Sequence, residues 1–434
     1  MSQFDIRNLH ARRVWDSRGR PTVETEITLQ GGAVGRAIAP AGASRGSREA
    51  LDLRDGGKRL GGMDVSRALA AVNTEIGPLL TGRDVRDQQG LDSAMIEQDG
   101  TELKSHLGGN ALVATSLAAI HAAAAAEGVP LWRYLSRITG RQASIPLPEI
   151  QIFGGGAHAG RRVDIQDFMV MVPGANDFAE AIEISSEIHA AAGSLMARQG
   201  RRAGVADEGG WWPSFDSNEQ ALETLIQAIE LAGETPGRRV VVSLDIAASE
   251  FGNDGQYQLA LDQRKMDTGG MIDLLARWID DYAIASIEDP LAEDDTAGMI
   301  EFTRRFGSRL QVIGDDYLVT NAALLNHAAR EGACNAVLIK VNQAGTVSES
   351  LETMQAAETS GYRCIVSARS GETEDVSIAH MSVGLGAGQL KVGSMTRSER
   401  MAKWNEVLRI SEDPDAGKFV GGAPLGNAWQ QSGV

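Results

Sequence analysis

Lysine is scarce in this chain. Of 434 residues, 41 are Lys or Arg, and only 7 of those are lysines, which leaves 34 arginines. Cysteine is scarcer still. Cys334 and Cys364 alone cannot build a disulfide framework, and this usage fits a reducing compartment. Basic excess is also missing, because 58 Asp and Glu bring the formal net charge to −17. Neither nucleic acid nor an anionic membrane surface is an expected partner for such a chain, since either normally demands a basic face. No unbroken run of 18 apolar residues occurs, so no membrane span is expected. The opening MSQFDIRNLH lacks the charged-then-apolar pattern of a secretory signal. The expectation is a cytoplasmic enzyme acting on small anionic molecules. Its length predicts two domains, or one barrel with an appendage.

Residues 1–32 alternate in strand fashion, with Val23, Thr25, Ile27 and Leu29 on one face and Glu24, Glu26 and Thr28 on the other. A hairpin-like stop follows at Gly31-Gly32. The small-residue loop from Pro40 to Ser47 has the composition of a lid. Asp64 is a plausible N-cap for a helix carrying Val65, Leu69, Val72 and Ile76, and the alanine-rich run Asn110–Glu127 reads as a buried helix ended by Gly128 and Pro130. These elements predict an α+β N-terminal domain over 1–138. The proline-bearing stretch Arg141–Pro148 reads as a linker. Over 139–434, short apolar runs alternate with helical stretches. The runs are 163–172, 239–245, 283–289, 310–316, 336–341, 363–368 and 389–393. Serial βα punctuation predicts an α/β fold with a parallel sheet or barrel.

Polar residues recur at the C-terminal ends of these runs: Asp245, Glu288, Asp315, Lys340, then Ser367, Arg369 and Ser370, then Lys391. In a β/α barrel such ends converge on one mouth. Asp245, Glu288 and Asp315 would make a hard-oxygen site suited to Mg²⁺. Lysines beside a divalent ion repel it and each other, so Lys340 and Lys391 are expected to have lowered pKa values, which suits a base. Glu208, in Ala206-Asp207-Glu208-Gly209-Gly210, could act as a general acid. His158 lies in a glycine-rich loop, and Gln166 and Asp167 alternate with Ile165 and Phe168 so as to face a barrel interior.

These motifs resemble the enolase family. The resemblance runs through WDSRGRPTVE (15–24), GSREALDLRDG (46–56), DEGG (207–210), SLDIAASEF (243–251), SIEDPL (286–291), GDDYLVTN (314–321), LIKVNQAGT (338–346), SARSGETED (367–375) and KVGSMTRSER (391–400). It implies an α+β N-terminal domain, an enolase-type β/α (TIM-like) barrel, and a homodimer or an assembly of dimers. It also implies Mg²⁺-dependent removal of a proton next to the carboxylate of a 2-phosphoglycerate-like acid. Asp245, Glu288 and Asp315 match the family's metal ligands. Lys340 matches the base, Glu208 the acid, and Lys391 the lysine that neutralises the substrate carboxylate. Arg369 and Ser370 match the phosphate grip, and His158 matches the loop histidine that closes over the ligand.

Four departures from the family pattern fall on the site. The lid reads Ala41-Gly42-Ala43-Ser44-Arg45-Gly46 where Ser-Gly-Ala-Ser-Thr-Gly is usual. This leaves Ala41 only its carbonyl toward a second, substrate-bound Mg²⁺ and adds the cation of Arg45. Ala368 replaces a histidine, Asp167 replaces a glutamate, and Gly154 replaces an asparagine. The expectation is a specialised paralogue whose ligand differs at the phosphorus or the leaving group. Carboxyphosphonoenolpyruvate synthase, of phosphonate-type biosynthesis, fits that chemistry. An ordinary enolase and a catalytically silent enolase-fold binding protein are the alternatives.

Overall fold

A computed structural model describes residues 1–426 and 429. The chain begins with an antiparallel sheet of β1 (Ile6–Trp15), β2 (Pro21–Leu29) and β3 (Val34–Ile38). Against it packs the helix Gly109–Ala126, whose alanines let the backbones come close. At Gly35 of β3 a methyl group would stand 2.2 Å from both the Ala118 carbonyl and the Ala122 nitrogen. The helix is 18 residues long with mean hydropathy 1.3, sufficient for a membrane span by length and composition, but 83% of it is buried inside the protein. It is a core helix.

The helix with Val65, Leu69, Val72 and Ile76 forms as Ser66–Ala71, passes through a π-helical turn at Val72–Ile76, and resumes at Gly77–Leu80. Asn73 in the π turn bonds the backbone of Ala11 on β1, accepting from its N–H at 2.8 Å. Asp64 is not its cap. Asp55 is, its carboxylate accepting from Ser66 N and Arg67 N at 3.0 Å each. Asp64 instead pairs with Arg13 at 2.8 Å.

Eight strands close a barrel: β4 (Leu147–Gly154), β5 (Asp167–Met171), β6 (Val241–Asp245), β10 (Ile284–Glu288), β11 (Gln311–Gly314), β12 (Ala336–Ile339), β13 (Arg363–Ser367) and β14 (Gly388–Gly393). A small sheet of β7 (Gly252–Asn253), β8 (Gln256–Leu259) and β9 (Arg264–Asp267) lies outside it. Two expectations are corrected. Leu147 and Pro148 are not linker but the start of β4, where a proline is tolerated because the strand is only beginning. And the barrel is not wholly parallel. β4 runs into β5 through segment 155–166, which holds one 3-10 turn (Gly156–Ala159) and no α-helix, so β5 returns antiparallel to both β4 and β6.

That reversal shapes the site. In a parallel strand, residues 166 and 167 would lie at the closed end. In the antiparallel β5 they lie at the mouth, and Asp167 comes into register with Asp245. The opposite end of the barrel is plugged by Leu147, Met171, Val241, Ala285 and Leu425.

Candidate active site

The strand ends converge on one cavity. Its walls include Ser44, His158, Gln166, Asp167, Glu208, Asp245, Lys340, Ala368, Arg369, Ser370 and Lys391. Glu288 and Asp315 sit just beneath, at the ends of β10 and β11, both buried.

Charges are paired across the floor. The Lys391 ammonium donates to Asp245 Oδ2 at 2.9 Å and Glu288 Oε2 at 2.7 Å. Lys340 donates to Asp315. Burial drives the Glu288 carboxyl well above its ordinary pKa, and its like-charged neighbours Asp245 and Asp315 push the same way. The lowering of the lysine pKa values was expected beside a divalent ion; with the carboxylates alone the balance runs the other way. Burial is the largest single influence and favours neutral Lys340 and Lys391, but Asp315 together with Glu288 at Lys340, and Asp245 together with Glu288, Asp167 and Glu149 at Lys391, outweigh it, so both are raised. The carboxylates outnumber the lysines, which counting the lysines alone misses.

The donor set fits a hard divalent ion. Three buried carboxylates lie on the floor, paired with Lys340 and Lys391, and among the described residues Glu288 Oε1 has no hydrogen-bond partner. An oxygen stripped of water and left unpaired is costly unless a cation meets it. Gln166 donates to Asp245 Oδ2 at 3.0 Å and so fixes one ligand's orientation.

On the opposite wall, His158 Nδ1 bonds Asp167 Oδ1 at 3.0 Å, and His158 Nε2 stands 3.6 Å from Glu208 Oε1. Burial opposes a charged imidazole, but Glu208 and Asp167 raise it to about 9. Burial likewise opposes a charged Asp167, yet His158, Lys391 and Gln151 bring it down to about 2.

Two lid residues do not reach the cavity. Arg45 is exposed and does not line it. Ala41 is buried in a backbone bridge with Gly371, and its carbonyl already accepts from Gly371 N and Arg18 Nη2, both at 2.8 Å. It has little left to offer a second Mg²⁺. Ser44 does reach the wall, its carbonyl accepting from Arg369 Nη2 at 2.9 Å. Ser370 Oγ accepts from Ala43 N at 2.7 Å, tying the lid to the barrel.

Other residues in the site escaped the sequence reading. Gln151, fully buried on β4, donates to Asp167 and toward Glu208 (3.4 Å), while its carbonyl oxygen accepts from Gly210 N at 2.9 Å. One amide thus orients both carboxylates of that wall. Glu149 lies two residues earlier on the same pleat face, accepts from Ser243, and is buried. Alternation of Glu149 and Gln151 with Ile150 and Ile152 was a strand signal hidden by the neighbouring prolines. Glu49, just after the lid, grips Arg369, accepting at 2.9 Å and 3.2 Å.

Residues 142–425 match the family profile described as "Enolase, C-terminal TIM barrel domain", and residues 6–135 match "Enolase, N-terminal domain". The chain belongs to the enolase family. It is 47% identical over 415 residues to "Enolase 1" of Desulfitobacterium hafniense (strain Y51), covering 95% of this chain and 94% of that protein. The α+β domain and β/α barrel are therefore those of an enolase-family enzyme, and that family is Mg²⁺-dependent.

Proposed function

We propose that this enzyme removes the proton α to the carboxylate of a 2-phosphoglycerate-like acid and expels the β-substituent, yielding an enolpyruvate phosphate or phosphonate. The observation that carries this reading is the pairing of opposite walls in one small cavity. Lys340 stands on one side, and Glu208 with His158 on the other. Asp245, Glu288 and Asp315 would hold Mg²⁺. If bound, the ion would add positive charge beside Lys340 that favours its neutral amine, and would stabilise the charge developing on the substrate carboxylate. As the neutral amine, Lys340 accepts the α-proton, Lys391 faces the carboxylate, and Arg369 with Ser370 holds the phosphorus end. Glu208 donates a proton to the departing hydroxyl, with His158 and Gln151 fixing its position.

Our reading of the substrate is a specialised one, of the kind carboxyphosphonoenolpyruvate synthase handles. Asp167 and Ala368, two of the four departures, line the cavity directly, each with a smaller side chain than the family's usual residue. One observation favours an ordinary enolase instead: Arg45, the added cation, lies outside the cavity. Purified enzyme with Mg²⁺ and 2-phosphoglycerate decides between them, read by absorbance of the enol product. Slow turnover, raised by joint Ala41→Ser, Asp167→Glu and Ala368→His substitution, supports specialisation. Rapid turnover by the unaltered enzyme overturns it, and loss of all turnover in Lys340→Ala distinguishes either from a silent binding protein. We further read the protein as a cytoplasmic homodimer, or an assembly of dimers, with its domains dividing at 138/139.

A further inference from the structure

We propose that Arg400 is the positioning residue of the phosphate grip. Buried behind Arg369 and Ser370, it turns their shared peptide so that the Ser370 N–H faces the phosphorus-bearing end of the ligand. This role presupposes that Arg369 and Ser370 are that grip, and it does not depend on which acid is turned over.

Arg400 stands in the first turn of the helix Ser398–Ser411 and is fully buried. Its guanidinium meets main-chain oxygens. Nη1 donates to the carbonyls of Arg369 at 2.7 Å and Val392 at 2.9 Å, and Nη2 donates to the carbonyl of Ser370 at 2.5 Å. All three of those residues line the cavity. Among the described residues its ion-pair partner is Glu399, 3.6 Å from Nε and beyond a hydrogen bond, and Nε has no other partner. Lys403, one turn further along the helix, differs in having the Glu372 carboxylate at 3.0 Å. A buried cation held by carbonyls is costly to keep for packing alone, since an apolar side chain would fill the space without desolvating a charge. The surroundings are cut to its shape. A methyl group on Gly393 would stand 3.0 Å from Arg400 Cδ and 2.7 Å from the Glu208 carbonyl oxygen, so the arginine stem packs where β14 passes the Glu208 loop.

Carbonyl direction decides what the cavity receives. No peptide bond among the described residues is cis, and in a trans peptide the N–H points opposite to the C=O. With the Ser370 carbonyl on Arg400, the Gly371 N–H points away from it and donates to the Ala41 carbonyl at 2.8 Å. With the Arg369 carbonyl on Arg400, the Ser370 N–H points away likewise, but no acceptor meets it among the described residues. An unpaired N–H on a cavity-lining residue is a donor available to an anion. The guanidinium behind it polarises the same peptide and strengthens that donor. Arg400 thus acts on the ligand through a peptide, without touching it.

Inorganic phosphate is the probe, added to the full-length protein at saturating Mg²⁺. Labelling with carbonyl-¹³C arginine and ¹⁵N serine selects two peptides of the chain, Arg369-Ser370 and Arg397-Ser398, and Ser398→Ala identifies the first. In the wild type the Ser370 amide proton signal should move downfield as phosphate binds. Calorimetry should show Arg400→Met binding phosphate at least about tenfold more weakly, with Arg400→Lys, which keeps the charge but cannot span three carbonyls, about threefold weaker. Mn²⁺ affinity, read by electron paramagnetic resonance without phosphate, should stay within about twofold, because Asp245, Glu288 and Asp315 lie at the ends of other strands. Where Arg400→Met fails to fold, Arg400→Lys carries the comparison. Absence of phosphate binding in the wild type would remove the grip and Arg400's role together. Binding that leaves the Ser370 amide unmoved, that is undiminished in Arg400→Lys, or that falls only in step with Mn²⁺ affinity overturns the role of Arg400 alone.

Discussion

Acid should weaken the fold around the loop that carries Glu208, and it should do so through His189. This histidine lies on the helix Phe178–Arg198, its ring stacked on Trp211 with centroids 4.8 Å apart and planes 18° from parallel. Trp211 directly follows Gly210, and its Nε1 donates to the His189 carbonyl at 2.8 Å. Burial lowers His189 from its usual 6.5 to about 4, against a hydrogen bond at the Gly209 backbone that works the other way. Among the described residues His189 Nε2 is buried without a partner, so a proton added there meets no acceptor. The sign follows from linkage. Below about pH 6.5 the unfolded chain takes up a proton that the folded protein refuses, so stability is complete above that pH and falls as pH drops toward 4. A gap of about 2.5 pH units corresponds to about 3.4 kcal/mol, of which about 2 kcal/mol is lost by pH 5. His189→Phe keeps the stack on Trp211 and cannot take the proton. Urea unfolding followed by far-UV circular dichroism, for both proteins at pH 7 and pH 5, should show the wild type losing about 2 kcal/mol relative to the variant. The His189 ring-proton NMR signal, assigned by its absence from the variant, should titrate near 4. Identical pH dependence in the two proteins, or titration near 6.5, would refute the reasoning.

Three further perturbations probe the framework. Asp55→Ala removes the carboxylate that accepts from Ser66 N and Arg67 N, and thermal unfolding should register a loss of about 1 kcal/mol; no change would mean that Asp64 caps the helix after all. Gly35→Ala puts a methyl group 2.2 Å from two backbone atoms of the Gly109–Ala126 helix, which cannot swing aside as a side chain can. Its urea midpoint should fall by the equivalent of about 1–3 kcal/mol or more. Lys403→Met strands the buried carboxylate of Glu372, now paired at 3.0 Å. That should cost about 3–5 kcal/mol, and since Glu372 also accepts from Arg369 N at 2.9 Å, calorimetry should show weaker phosphate binding too.

Much of the barrel was legible because each strand ends in a polar residue one βα unit after the last. That periodicity located Asp245, Glu288, Asp315, Lys340, Arg369 and Lys391 without any knowledge of depth or distance. Strand direction was not legible. An apolar run such as 163–172 looks the same in either sense, and only the connection from β4, which has no α-helix, reverses it. β4 itself was hidden because Pro146 and Pro148 mimic a linker, although Glu149 and Gln151 already alternated as inward residues. The lid reading failed for a different reason. Whether Ala41's carbonyl is free depends on Arg18 and Gly371, which are near it only after the N-terminal sheet docks on the barrel. Helix capping failed similarly, since Asp55 reaches Ser66 across an intervening loop while the local rule looks one or two residues upstream.

The scarcity of lysine acquires a physical meaning once burial is known. Surface positive charge is carried almost wholly by arginine, while Lys104, Lys340, Lys391 and Lys403, four of the seven lysines, are buried. This inverts the usual distribution, in which lysine is seldom fully buried. Each buried ammonium has an acid partner: Glu349 for Lys104, Asp315 for Lys340, Asp245 and Glu288 for Lys391, and Glu372 for Lys403. At Lys391 the reason for lysine is geometric. Two carboxylates from different strands approach one point, and a compact ammonium can donate to both. A planar guanidinium would need acceptors arranged along its fork, and its bulk would fill the cavity. At Lys340 the role of base proposed above would supply a chemical reason, because a guanidinium is never deprotonated in a protein whereas an ammonium can be. Arg369 shows the converse. Its acceptors, Glu49, Asn342 and the Ser44 carbonyl, spread along the fork at 2.9–3.2 Å, and it holds the lid against the barrel as a fixed charge. Position by position, the choice between the two cations follows the arrangement of acceptors and the need to release a proton, and net charge does not decide it.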